Sequence, residues 1–175
     1  MERRQVRFFG LLIVAGLLAA GAANAAVKRD VLVSERDWDA FIDVYDDGAK
    51  VCYMRSEPKK WTASKKNVRR GEAYLTVTHW PKRAVFNEVS VITGYTYADG
   101  QGVTATIGGK RFKLFTVADS AWMDDENADK AIVEAMKRGS RMVVTGTSSR
   151  GTRTTDTYSL MGFSAAYKAI TEACR

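Results

Sequence analysis

Hydrophobic and polar positions alternate along most of this chain, and the alternation comes in short runs. WDAFIDVY (38–45) alternates in the manner of a strand and ends at the turn Asp46-Asp47-Gly48. VCYMRS (51–56) follows as a second strand. EAYLTVTHW (72–80) sets Leu75, Val77 and His79 on one face, with Tyr74, Thr76, Thr78 and Trp80 on the other. FNEVSVITGYTY (86–97) alternates again, and a loop follows at 98–102. VTATI and KRFKLFTV flank Gly108-Gly109, a pair that tolerates the positive φ angles of a primed hairpin turn. RMVVTGT and TRTTDTYSL form one more hairpin around Ser148-Ser149-Arg150-Gly151. Residues 26–36 show no clear period and read as a lead-in.

Two segments switch to a helical period. Ala128, Ala131, Ile132, Ala135 and Met136 form one apolar stripe, which predicts a helix over about 125–138. Asp124, Asp125, Glu126 and Asp129 crowd its start, Lys137 and Arg138 its end, and Gly139 follows, as the helix dipole favours. That acidic cluster lacks the spacing of a calcium loop. A second helix is expected over about 163–174, capped by Ser164, with Phe163, Ala166, Tyr167, Ile170 and Cys174 on one face. Short strands without βαβ alternation predict a mainly β fold: an antiparallel β-sandwich or barrel-like domain with two helices.

The first 25 residues read differently. Arg3, Arg4 and Arg7 precede an apolar run of 16 residues from Phe8 to Ala23, and Ala23-Asn24-Ala25 offers a cleavage site. This is the pattern of an export signal, and the run is short for a bilayer span of about 20 residues. Residues 37–175 then make one domain, soluble after cleavage, without a transmembrane segment and placed in the periplasm or at the cell surface. Cleavage lowers the net charge from +7 to +5, because three Arg and one Glu leave.

Export changes how the cysteines read. Cys52 and Cys174 are the only two, and oxidising surroundings favour a bridge between them. Two buried thiols, or a link between molecules, are the alternatives. With Cys174 on the buried side of the last helix, such a bridge would clasp that helix to the second strand.

The remaining candidate chemistry is sparse. Gly146 to Gly151 has the spacing of a phosphate loop but lacks its Lys and its helix. Thr145, Thr147, Thr152, Thr154, Thr155 and Thr157 have no activating base and suit a sheet face. His79 is the single histidine, so a hydrolase would need a carboxylate and a hydroxyl brought to it by the fold. No catalytic residue, metal site or cofactor is assigned.

One segment carries a surface signal. Lys59, Lys60, Lys65, Lys66, Arg69 and Arg70 surround Trp61 within twelve residues, and without them the rest of the exported chain would be −1. These seven residues are candidates for binding anionic envelope lipids, lipopolysaccharide or host sulfated glycans; the plain alternative is a solvated loop. Envelope or host-surface proteins are possible partners too, whereas nucleic acid is not expected.

Asp37-Trp38, KVCYMRS, FNEVSVITGY, GGKRFKLFT, the following helix, GSRMVVTGTSSRGTRTTDTYSLMGFSAAYKAI and the final Cys174 together resemble the invasion-associated locus B family of bacterial envelope proteins. The likeness covers about 37–174. It implies a secreted or periplasmic envelope protein, linked in some pathogens to invasion of host cells, and transfers no catalytic residue. The additional cysteine that many members carry after the tryptophan is absent here, where Ile42-Asp43-Val44 stand. An envelope-packing role is the structural alternative to binding.

Overall fold

The computed structural model describes residues 27–175; the export-signal reading falls on residues outside that range. Eleven antiparallel strands form one continuous sheet: β1 (Val27–Glu35), β2 (Trp38–Tyr45), β3 (Lys50–Ser56), β4 (Lys60–Ala63), β5 (Tyr74–Trp80), β6 (Val85–Ile92), β7 (Val103–Ile107), β8 (Lys110–Val117), β9 (Ser120–Trp122), β10 (Arg141–Thr147) and β11 (Arg153–Ser159). Their order is β1-β2-β3-β5-β6-β9-β8-β7-β10-β11-β4. The two end strands do not meet, so the sheet is a folded-over sandwich and not a barrel. One layer runs from β1 to β9, the other from β8 to β4, and β9 joins them by pairing with both β6 and β8.

Alternation builds the core as expected. Leu75, Val77 and His79 of β5 point inward with Cys52 and Met54 of β3, and Met142 and Val144 of β10 close the opposite layer. Trp38 pins the layers together: its ring meets Phe163 edge-on at 5.0 Å, and its Nε1 donates to the Ser159 carbonyl at 3.0 Å. The Gly108-Gly109 turn has φ of 54° and 84°, a left-handed pair that closes the β7–β8 hairpin in two residues.

Helix α1 (Glu126–Arg138) starts with Asp125 accepting a hydrogen bond from the Ala128 amide. It lies along β6 beyond the short strand β9, where the β6 edge would otherwise be bare. There the buried Asp129 carboxylate accepts from the Val89 N–H at 2.9 Å. Burial and the charges of Glu88, Asp125 and Glu126 push that carboxyl up to about 6.

Helix α2 (Phe163–Ala173) lies over β1, β2, β3 and β5. Cys174 at its end is joined to Cys52, with Cα atoms 6.0 Å apart and both residues buried.

Several expectations need correction. The lead-in is strand β1, paired along its length with β2. Most of it is exposed, so no face is reserved for apolar residues and no period shows. The basic segment likewise contains an edge strand, β4, on β11. FNEVSVITGYTY stops being a strand at Ile92; the chain then crosses between layers and touches β10's end through the single bridge Tyr97–Ser148. Ser164 does not cap α2. Gly162 does, at φ 94°, because the end of β1 passes so close that a Cβ there would collide with the Glu35 carbonyl.

Candidate functional site

Two loops far apart in sequence meet at one end of the β10–β11 hairpin. The first, residues 64–70, leaves β4 and is held to β11: the Ser64 amide donates to the Arg153 carbonyl at 2.8 Å, and Ser64 Oγ accepts from the Arg153 amide at 3.0 Å. The second is the hairpin loop 148–152, closed by the Ser148 amide on the Thr152 carbonyl and by the Thr152 amide on Ser148 Oγ. Lys65 ties them together, its Nζ donating to the Arg150 carbonyl at 2.7 Å.

Between the loops is a cleft of about 440 Å³. Lys65, Lys66, Arg69 and Arg150 supply its charge, and Ser148, Ser149, Thr96 and Thr152 supply hydroxyls. Tyr95 and Thr154 line it as well, their hydroxyls 2.7 Å apart. No carboxylate lines the cleft. Four cations and a set of hydroxyl donors, with no acid in the lining, are chemically complementary to an anion carrying several acceptor oxygens.

The seven residues expected to bind anions therefore separate. Lys65, Lys66 and Arg69 enter the cleft. Lys59 turns away to Asp37, 2.5 Å off, and Lys60 points outward from β4. Arg70 is a correction to the surface reading. Its side chain is 6% exposed and sits inside the sandwich against Asp156, itself 1% exposed. Nη1 donates to Oδ2 at 2.8 Å; Nη2 stands 2.8 Å from Oδ1, off the line of a good hydrogen bond. Trp61 lies over the Arg70 guanidinium at 4.3 Å, one face of its ring on that ion pair, and the side chain stays 39% exposed.

Arg150 and the hairpin hydroxyls do not stand out in the sequence, where the spacing from Gly146 to Gly151 matches only an incomplete phosphate loop and the threonines suit a sheet face. The segment's hydroxyls and single cation were the signal for a different kind of anion contact.

His79 is buried at 2% exposure beneath α2. Nδ1 accepts from the Asn87 amide at 3.0 Å, which leaves Nε2 protonated to donate to Thr171 Oγ1 at 3.2 Å. That hydroxyl in turn donates to the Tyr167 carbonyl, as a helix hydroxyl commonly does. Desolvation holds the imidazole below its usual pKa, so it stays neutral. No carboxylate is among its partners, and the geometry is that of a packed histidine. Among the described residues no group of three or more His, Cys, Asp or Glu is placed to hold a metal ion.

A family model described as invasion associated locus B (IalB) protein matches residues 38–171, from the start of β2 to the last turn of α2. The chain belongs to the IalB family. Comparison with curated proteins and with solved structures gave no match. Membership points to an envelope-associated protein. Every lining residue of the cleft falls inside the matched span, whereas β1 and Cys174 of this IalB chain lie outside it. Among the described residues no helix is long and apolar enough to cross a membrane.

Proposed function

We propose that this IalB chain is an exported protein that acts at the cell envelope by binding, without catalysis, and that its cleft takes a sulfate or phosphate ester. One observation carries the proposal: two loops some 80 residues apart converge four cations and several hydroxyls on one cavity that no carboxylate lines. Sulfated sugars and phosphate headgroups present the same oxygens to such a cavity, and a contribution to host-cell invasion would run through contacts of that kind.

The test replaces Lys65, Lys66, Arg69 and Arg150 together by Ser and measures binding to two probes at low salt. One probe is a heparin-derived disaccharide, the other vesicles containing phosphatidylglycerol. The variant should bind at least one probe about tenfold more weakly or worse, since charge-assisted hydrogen bonds are the strong ones. Its melting temperature should hold, because these side chains are at the surface. Loss confined to the disaccharide assigns the cleft to glycans, and loss confined to vesicles assigns it to lipid headgroups. Equal binding by variant and parent, or no binding by the parent, rejects the proposal.

A further inference from the structure

The outer face of the β8–β7–β10–β11–β4 layer is set apart from the cleft; none of the residues in the rows described next lines that cavity. Strand register fixes its composition. Lys113, Thr104, Thr145, Thr155 and Thr62 stand opposite one another in a row across the five strands. Arg111, Thr106, Val143, Thr157 and Lys60 form the next row. Their in-between neighbours, such as Ala105, Met142, Val144, Asp156 and Tyr158, are buried, so both rows face outward. Helices α1 and α2 pack on the other layer, on β6 and on β1, β2, β3 and β5.

Charge on this face has one sign. Asp156 is the single acidic residue in the five strands, and it points inward to Arg70. Lys60, Arg111, Lys113, Arg141 and Arg153 are therefore outward cations without a carboxylate beside them in these strands. Among the described residues none of the five makes an ion pair.

We infer that this face binds a linear sulfated or phosphorylated polysaccharide laid across the strands. From β8 to β4 is four interstrand steps, about 19 Å at roughly 4.8 Å each, so a ligand touching the cations at both margins must be a chain of several sugars. Between those margins the rows offer hydroxyls, which hydrogen-bond equally to ester oxygens and to sugar hydroxyls. The rows hold no aromatic ring on which a nucleobase would stack and no apolar wedge for a bilayer. Phe115 and Val117 are exposed, but they stand further along β8 where it joins β9, outside the rows.

The experiment compares a heparin-derived disaccharide with a dodecasaccharide. It uses the wild-type chain, a charge variant (Arg111→Ser, Lys113→Ser, Arg141→Ser) and a hydroxyl variant (Thr104→Val, Thr145→Val, Thr155→Val). The charge variant should lose about tenfold in dodecasaccharide affinity with three fewer released counterions, and the hydroxyl variant about threefold. Binding of the probe that the cleft variant loses, disaccharide or vesicle, should be the same in all three proteins. The serine replacements of the cleft should weaken that probe and leave the dodecasaccharide's dependence on the face's cations in place, so either site can fail alone. Dodecasaccharide affinity unchanged in either variant overturns the inference. So does competition by phosphatidylglycerol vesicles or an oligothymidylate as effective as that of the glycan.

Discussion

Arg69 and Arg70 are chemically alike and adjacent, yet one faces the cleft and the other is internal. What separates them is Asp156, 86 positions along the chain, which the turn into β5 brings within reach of Arg70 alone. No property of the basic segment distinguishes them beforehand. An enclosed ion pair is costly to break, because the surviving charge is left without solvent. Arg70→Met should therefore lower the free energy of unfolding by about 3–5 kcal/mol, read from urea denaturation, while Lys66→Met should change it little. An Arg70 variant as stable as the parent would mean that Asp156 is solvated.

Elements differ in how plainly they announce themselves. β2, β5, β7, β10 and both helices could be read because each buries one face, which imposes a period of two or 3.6 on the residue types. β1 and β4 lie at the margins of the sheet and bury little, so their sequences are free of that constraint. β9 has only three residues, too few to show a period.

Helix α1 carries a prediction of its own. Asp129 has a folded-state pKa of about 6 against an ordinary 3.8, so the folded chain holds the proton more tightly than the unfolded one. Its contribution is fully present below the ordinary value and is lost as pH rises through about 6. Glu88, also raised by burial, acts in the same sense. Asp129→Asn keeps an acceptor for the Val89 amide without the charge. Its stability relative to the parent should be greater at pH 7.5 than at pH 4.5, in urea titrations at the two values. A difference independent of pH would place the carboxylate in water.

At the scale of the molecule, the sandwich was legible and its surface was not. Strand rhythm, helix count and exclusion of a parallel sheet all follow from local pattern. The cleft joins residues 64–70 to 148–152, and the outer rows depend on the register of five strands, so both exist only after long-range pairing is set. The bond from Cys52 to Cys174 spans 122 positions and gathers nearly all of this pairing into one loop. Cys174→Ser should cost about 5 kcal/mol by the chain-entropy argument, with amide exchange in α2 rising before that in β5. Exchange that rises equally everywhere would make the bond a global constraint only.

An open sheet has two margins with unpaired backbone groups, and such margins invite other strands to add on. β1 interrupts its pairing with a bulge between Val31 and Val33 and carries Lys28, Arg29 and Asp30, while β4 is four residues long, begins at Lys60 and is preceded by Lys59. Irregularity, brevity and charge each discourage side-by-side stacking of copies. A molecule so protected can be crowded along a polymer without zipping into fibrils.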